Sequence, residues 1–238
     1  MKKIKLILDE LMRQYRFFNI VFSPLIKYRA HKHRANDHDW KKKNDSFNEN
    51  GGRLLSFFKQ CLDEDGLEFW LTSGTLLGAY REKKLLSHDI DIDVAMFAAD
   101  KNKVKKVLLS KGFKLIHEFG VIGGEITEQS YEYLGNKIDI FFTPDDCENF
   151  VFNIFYREIE SDRDDDFRVI EMRLPKSNLK QYDFLGGKYL IPEKTEAYLA
   201  ANYGKNFMTP DKYWDYTKDI PSAIYYKAHE KSGFIKLP

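Results

Sequence analysis

Aspartate and branched apolar residues alternate through the segment His88-Asp89-Ile90-Asp91-Ile92-Asp93-Val94. Side chains two positions apart share one face of a β-strand, whereas on a helix they point in nearly opposite directions. The segment therefore predicts a strand that turns its isoleucine and valine side chains toward the core and its three aspartates toward the other surface. Three carboxylates on one half-buried strand repel one another and are poorly solvated there. A bound divalent cation would relieve both effects.

The three aspartates have a second interpretation, as the solvated face of an edge strand whose charge discourages aggregation. Lysine commonly serves that purpose, and aspartate is a poor strand former. Aspartate is well suited to Mg²⁺ or Mn²⁺, because these ions prefer hard oxygen ligands in octahedral geometry. We therefore expect a metal site and keep the solvated edge strand as the alternative.

A further acidic residue, Asp139, lies alone within the apolar run Lys137-Ile138-Asp139-Ile140-Phe141-Phe142. This run follows a Gly135-Asn136 turn and predicts another buried strand. A lone buried aspartate is unfavourable unless it is paired or coordinated. A metal ion shared with Asp91 and Asp93 would account for it, and an ion pair with a basic neighbour is the alternative.

A short run of small residues, Ser73-Gly74-Thr75, separates a predicted strand (67–71) from a predicted helix that begins over residues 76–81. Backbone N–H groups and small side chains at such a junction can approach phosphate oxygens closely. By itself the run is typical of a turn. Combined with paired aspartates on one strand and another aspartate on a later strand, it indicates metal-assisted phosphoryl transfer.

The ordered series of motifs resembles the LicD and fukutin family of nucleotidyltransferase-fold proteins, and the resemblance covers about residues 54–215. The motifs that carry it are Trp70-Leu71-Thr72-Ser73-Gly74-Thr75-Leu76-Leu77-Gly78-Ala79-Tyr80-Arg81, His88-Asp89-Ile90-Asp91-Ile92-Asp93, Lys137-Ile138-Asp139-Ile140-Phe141, Phe184-Leu185-Gly186-Gly187, Ile191-Pro192 and the stretch from Tyr203-Gly204 to Pro210. The resemblance implies a mixed α/β (α+β mixed sheet) fold with a nucleotidyltransferase-like catalytic core.

The resemblance also implies a reaction, in which a phosphorylated alcohol such as phosphocholine or ribitol phosphate moves from a CDP-linked donor to a glycan hydroxyl and CMP leaves. The acceptor would be a cell-surface glycan or its lipid-linked precursor. The implied site residues are a Mg²⁺ (or Mn²⁺) ion on Asp91, Asp93 and Asp139, donor-phosphate contacts from Ser73, Gly74, Thr75 and Arg81, and Asp89 as base or positioning group for the acceptor.

The chain departs from the family pattern in two places. The family often has Trp-Asp-Asp-Asp where this chain has His88-Asp89-Ile90-Asp91. The cysteine-rich zinc element of some eukaryotic relatives has no counterpart, because the chain has two cysteines. Both departures indicate an acceptor site that is built differently.

Two other functions remain compatible with the sequence. One is a glycosyltransferase that holds a nucleotide sugar through Mn²⁺ on the same aspartates, although the Ser73-Gly74-Thr75 run and the distant Asp139 argue against it. The other is a noncatalytic member that keeps the fold as a binding module, which the presence of all three expected metal ligands disfavours.

Charge is unevenly distributed along the chain. Residues 1–50 hold 12 basic and 6 acidic side chains, whereas residues 51–238 hold 26 and 31. Apolar residues at helical spacing over residues 4–22 predict an amphipathic arm, which either packs on the body or contacts an anionic membrane through residues 1–34. We expect residues 36–52 to be a polar linker before a helix at 53–65, so that the arm and linker span 1–50 and the catalytic domain 51–238.

Composition excludes several classes of protein. A chain that is 43% hydrophobic and 15% aromatic is typical of a soluble globular protein rather than a disordered one. The net charge of +1 gives no reason to expect a nucleic-acid partner. The sequence contains neither a run of about 20 apolar residues nor a recognisable signal peptide. We therefore expect a cytoplasmic protein, with a peripheral position at the inner face of the cell membrane as the alternative.

Overall fold

The computed structural model describes residues 38–157, 165–227 and 229–238. The predicted arm, with its expected membrane contact through residues 1–34, lies outside the described residues. Among the described residues, no helix combines the length and apolar character needed to cross a membrane.

Helices and strands alternate irregularly along the described chain. The helices are α1 (His38–Asp63), α2 (Ser73–Leu77), α3 (Lys101–Ser110) and α4 (Thr195–Tyr203), with a π-helical turn at Gly78–Glu82 and a 3₁₀ turn at Ala98–Asp100. The strands are β1 (Trp70–Leu71), β2 (Asp91–Phe97), β3 (Lys114–Val121), β4 (Ile126–Tyr133), β5 (Asn136–Thr143), β6 (Asn149–Tyr156), β7 (Phe167–Pro175), β8 (Leu179–Phe184), β9 (Gly187–Pro192), β10 (Ala223–Tyr225) and β11 (Ser232–Lys236).

All of these strands belong to one mixed sheet. Its order is β10-β7-β11-β3-β4-β5-β2-β1-β9-β8, and β6 pairs in addition with β7. The β2–β5 and β1–β9 pairs are parallel, whereas the other pairs are antiparallel. The expected mixed α/β fold is therefore confirmed, and the parallel β2–β5 pair brings the two predicted aspartate strands side by side.

The polar segment predicted as a linker is helical from His38 onward, so that prediction is wrong for residues 38–52. Helix α1 continues without a break through the helix predicted at 53–65, and its buried side begins at Phe47 and Gly51. A Cβ on Gly51 would lie 2.9 Å from the Phe47 ring and 3.0 Å from Leu85, so this helical glycine permits close packing. The boundary drawn between residues 50 and 51 falls inside α1, while the separate arm stays a prediction.

The predicted strands exist, but their ends differ from expectation. Strand β2 begins at Asp91, so Asp89 and Ile90 precede it, and Ile90 is only partly buried. The next two apolar positions of the alternation, Ile92 and Val94, are fully buried. The strand predicted at 67–71 is reduced to Trp70–Leu71. The backbone reverses between β4 and β5 at Leu134 and Gly135, both with positive φ, one residue earlier than predicted.

The core forms two apolar clusters. The larger contains the buried side of α1 together with residues of β2, β5, β6, β9 and α4. The smaller consists of Phe155, Phe167 and Val169, against which residues of β3 and β11 pack. The acidic face of β2 and β5 lies at the border of the larger cluster, where carboxylates are only partly solvated.

Candidate active site

The parallel pairing of β2 with β5 places four charged residues at the corners of one patch. In the register of the two strands, Asp91 lies opposite Lys137 and Asp93 lies opposite Asp139. Residues two apart on a strand share a face, so all four side chains leave the sheet on the same side. The structure thus brings together the three predicted metal ligands, along with a lysine to which the sequence assigned no role.

Asp93 is held by the Ser73-Gly74-Thr75 run. The Gly74 N–H donates to Asp93 Oδ2 at 3.0 Å, and Thr75 Oγ1 accepts from the Asp93 N–H at 2.8 Å. A Cβ on Gly74 would lie 2.6 Å from Asp89 Oδ2 and 3.3 Å from Asp93 Oδ2, so a larger residue here would displace the Asp89 carboxylate. The run predicted to contact phosphate therefore positions Asp93 through two of its three residues.

The third residue of that run, Ser73, lies at the start of α2 with a φ of +43°. This left-handed conformation is unusual for a residue other than glycine, asparagine or aspartate and is associated with functional sites. Ser73 is partly exposed, whereas Thr75 is buried. Of the two hydroxyls predicted to contact phosphate, that of Ser73 is the accessible one.

Asp139 is buried, and each of its carboxylate oxygens has a partner. Its Oδ1 accepts a 2.6 Å hydrogen bond from Ser130 Oγ, and its Oδ2 lies 2.7 Å from Lys137 Nζ. The same ammonium group lies 3.1 Å from Asp91 Oδ2. The ion pair considered as an alternative for Asp139 is thus present, and a cation already stands between two of the expected metal ligands.

Burial and mutual repulsion shift the titration of the aspartates. Burial, then repulsion from Asp91, raises the pKa of Asp89 to about 7, against the opposing effect of Arg81. Burial and the charges of Asp91 and Asp139 raise the pKa of Asp93 well above its usual range. Burial would lower the pKa of Lys137, but Asp139 and Asp91 raise it on balance, so the lysine stays charged. At Asp93, burial and the neighbouring carboxylates outweigh the attraction of Lys137, so this carboxyl favours its neutral form.

A polar chain that the sequence did not predict extends the site across β4 and β3. Ser130, which holds Asp139, also lies 2.8 Å from His117 Nε2. Glu128 Oε1 lies 4.0 Å from the same ring nitrogen. Burial raises the pKa of Glu128 well above its usual range and lowers the pKa of His117, so both groups favour their neutral forms. The signal was available as polar residues at alternate positions of β4, Glu128 and Ser130.

Arg81 lies on the π-helical turn that follows α2. Its Nη1 donates to the Phe207 carbonyl oxygen at 3.1 Å, and its Nη2 pairs with Glu82 Oε1 at 2.8 Å. Its Nε is buried and has no hydrogen-bond partner among the described residues. Because π-helical turns often occur at functional sites, this geometry is compatible with the predicted charge compensation near the donor.

Helix α1 holds the loop that carries Asp89. The Asn44 side-chain amide donates to the carbonyl oxygens of Ser87 and Asp89, at 2.9 and 2.6 Å. One helical turn later, Asn48 donates to the Ser87 carbonyl at 3.0 Å. These two asparagines lie in the segment predicted as a linker, so they were not among the predicted site residues. Their signal was their i, i+4 spacing beside the buried Phe47.

The residues present suit a divalent cation in their chemistry. The donor set consists of carboxylate oxygens, the ligand type that Mg²⁺ and Mn²⁺ prefer, and the Lys137 ammonium stands where positive charge is needed. As the side chains stand in the described part of the chain, no three His, Cys, Asp or Glu residues form a ready ligand group. A shared metal would therefore require a rearrangement of Asp91, Asp93 or Asp139 around Lys137.

Residues 66–194 match the family described as LicD/FKTN/FKRP, nucleotidyltransferase domain. The chain belongs to this family. It is also similar to ribitol-5-phosphate transferase FKTN from three mammals. The Homo sapiens and Macaca fascicularis proteins are each 28% identical over 180 residues, which is 75% of this chain and 37% of the relative. The Mus musculus protein is 29% identical over 179 residues, 74% of this chain and 37% of the relative.

The chain thus spans little more than a third of the length of these relatives. Among solved structures, it resembles the antibiotic-resistance factor ANT(2″)-Ia, with 16% identity and a TM-score of 0.45 over 73% of this chain and 80% of that one. It also resembles the lincosamide antibiotic adenylyltransferase LnuA, with 16% identity and a TM-score of 0.37 over 59% and 78% of the two chains. These likenesses concern the fold alone.

Proposed function

We propose that this chain is a metal-dependent phosphotransferase. It would move a phosphorylated alcohol, such as phosphocholine or ribitol phosphate, from a CDP-linked donor to a hydroxyl of a cell-surface glycan or its lipid-linked precursor. The observation that carries the proposal is the placement of Asp93 opposite Asp139, with Asp93 tied to the Ser73-Gly74-Thr75 run. Membership of the family and similarity to proteins named ribitol-5-phosphate transferases support the same class of reaction.

The aspartates would divide the work of metal binding and proton transfer. Asp91, Asp93 and Asp139 would hold Mg²⁺ or Mn²⁺, which supplies positive charge that neutralises and orients the donor diphosphate. Asp89 would accept the proton of the acceptor hydroxyl, because a pKa of about 7 suits a general base at neutral pH. The acceptor oxygen forms a bond to the phosphorus that carries the alcohol, and the bond from that phosphorus to the CMP oxygen breaks.

Other residues would position these groups and the donor. Gly74 and Thr75 keep the Asp93 carboxylate in one orientation through the hydrogen bonds described above. Ser73 would contact a donor phosphate, and Arg81 would offset its charge with the guanidinium edge whose Nε lacks a partner among the described residues. Positioning of this kind matters because the protein contributes mainly orientation and charge to phosphoryl transfer.

A ligand panel tests the proposal. Thermal unfolding would be followed with CDP-choline, CDP-ribitol, CDP-glycerol and UDP-sugars, each with Mg²⁺, with Mn²⁺ and with a chelator. We expect a CDP-alcohol to raise the melting temperature only when a divalent ion is present, because ligands that bind the folded state stabilise it. A preference for UDP-sugars would instead support the glycosyltransferase alternative.

Turnover provides the second part of the test. Asp93→Asn should abolish transfer, whereas Asp183→Asn, which changes an exposed aspartate paired with Lys188, should leave it unchanged. Full transfer by Asp93→Asn, or full activity without a divalent ion, would contradict the site assignment. Binding of a CDP-alcohol without turnover on any acceptor would favour a noncatalytic binding module. A mass spectrum of the modified acceptor would identify the transferred group.

A further inference from the structure

Lys137 occupies the centre of the acidic patch. Its Nζ lies 2.7 Å from Asp139 Oδ2 and 3.1 Å from Asp91 Oδ2, so one ammonium bridges two strands. The lysine side chain is one-third exposed, whereas those of Asp91 and Asp139 are 26% and 8% exposed. Lys137 thus forms a partly desolvated ion pair with both carboxylates rather than a contact on the solvated surface.

The Lys137 ammonium places a positive charge between two carboxylates, as a second metal ion would. Two-metal phosphoryl-transfer sites hold their ions about 3.5–4 Å apart, bridged by shared carboxylates. In this chain the gap between Asp91 and Asp139 already contains a covalently attached positive charge. A divalent ion placed in the same gap would be repelled by Lys137, and displacing the lysine would leave its charge buried beside the metal.

The neighbours of Asp139 restrict it further. Its Oδ1 is taken by Ser130, which also contacts His117, and its Oδ2 by Lys137. Each carboxylate oxygen has a remaining lone pair for one shared ion. Asp93, which is diagonal to Lys137 in the register of the two strands, is instead oriented by the neutral Gly74 N–H. The side of the patch near Asp93 is therefore where a divalent ion meets least positive charge.

We propose that Lys137 serves as the second cation of this site, so that the chain binds a single divalent ion near Asp93. The inference rests on the proposed function and specifies how many divalent ions the site binds. The charge of Lys137 is present at every metal concentration. The ammonium group would share with the metal ion in neutralising the donor diphosphate, as a second metal ion does in related chemistry.

Metal stoichiometry tests the inference without any turnover. Electron paramagnetic resonance of free Mn²⁺ would count the ions bound per chain in the wild type and in Lys137→Met. We expect one ion in the wild type and two in Lys137→Met, because removing the ammonium leaves Asp91 and Asp139 without a shared cation. Lys137→Arg keeps the charge and should bind one ion. Should Lys137→Met not fold, Lys137→Gln carries the same expectation.

Lys231→Met is the matched control. Lys231 forms a similarly buried ion pair with Glu171 at 2.7 Å, on a different part of the sheet. The variant should lose stability and still bind one ion. Two ions in the wild type would overturn the inference and leave the proposed function intact. A single, more tightly bound ion in Lys137→Met would also overturn it, since Lys137 would then only compete for the same position. No ion in the wild type would overturn the metal assignment itself.

Discussion

Thr75 shows how a single hydroxyl can support the site from within the core. Its side chain is 1% exposed, and its Oγ1 accepts from the Asp93 N–H at 2.8 Å. The sequence suggested a phosphate contact, and the structure gives this hydroxyl a buried partner in the backbone of β2. The role that follows for Thr75 is positioning of Asp93.

Thr75→Val should therefore destabilise the protein. The substitution keeps the shape of the side chain and leaves the Asp93 N–H without its acceptor, at a cost of about 1–3 kcal/mol in the free energy of unfolding. Urea denaturation would measure the loss. Thr75→Ser retains the hydroxyl and should recover most of it. Equal stability of Thr75→Val and the wild type would show that this hydrogen bond contributes nothing.

His117 predicts a dependence of stability on pH. Burial lowers its pKa in the folded protein, where the ring faces Ser130 and Glu128 and lies in the field of Asp139 and Lys137. In the unfolded chain its pKa is about 6.5. The contribution of neutral His117 to stability is thus present above that value and is lost as the pH falls below it.

We expect the free energy of unfolding of the wild type to fall more steeply than that of His117→Gln as the pH falls from about 6.5, the unfolded-state pKa, to about 5. Urea denaturation at several pH values would compare the two. His229→Gln, at an exposed position, is the control and should follow the wild type. Parallel curves for the wild type and His117→Gln would contradict the prediction.

Helix α1 illustrates how an element can look like a linker in sequence. Its first half is dominated by charged and amide side chains, and only Phe47 is a large buried residue there. The buried positions of the whole helix nevertheless keep helical spacing, from Phe47 and Gly51 to Leu54 and Leu55. Because the exposed face of α1 is so polar, the average composition of this segment did not indicate an amphipathic helix. That helix holds the loop that carries Asp89.

Phe47→Ala tests whether this half of α1 is structural. The side chain is 1% exposed, and truncating a buried phenylalanine typically costs about 3–5 kcal/mol. Lys41→Ala, on the exposed side of the same helix, should change stability little. Urea denaturation of both variants would measure the difference. A small, equal effect of the two substitutions would restore the linker interpretation.

At the scale of the molecule, β11 connects two parts of the sheet. It pairs with β3 on one side and β7 on the other, and its Ile235 packs against the small cluster of Phe155, Phe167 and Val169. The strands that carry the site lie on the β3 side. Long-range pairing of this kind makes the stability of the β6–β7 region depend on the last residues of the described chain.

Deletion of residues 232–238 should destabilise β7 more than β2. The deletion removes the hydrogen bonds that β7 and β3 make with β11 and opens two strand edges. Hydrogen exchange of the strand amides would compare the two regions. Deletion of Leu237 and Pro238 alone, which are exposed and follow β11, is the control. Unchanged protection of β7 in the longer deletion would contradict this account of the sheet.

Much of the site could be predicted from local pattern. The alternation around Asp91 and Asp93 predicts a strand with its acids on one face, and the apolar run around Asp139 predicts a second strand. Both predictions are confirmed at the level of the strands. The pattern overextended β2 to Asp89, because period-two alternation does not show where hydrogen bonding to a neighbouring strand begins.

The sequence by itself determined which side chains share a face, because that depends only on the geometry of one strand. Only the tertiary structure decided that Asp93 lies opposite Asp139, that Lys137 stands between Asp91 and Asp139, and that Asn44 reaches the loop before β2. Apart from the Lys137–Asp139 pair, these contacts join residues more than 40 positions apart. They depend on strand register and helix packing, and both are determined by interactions along the whole chain.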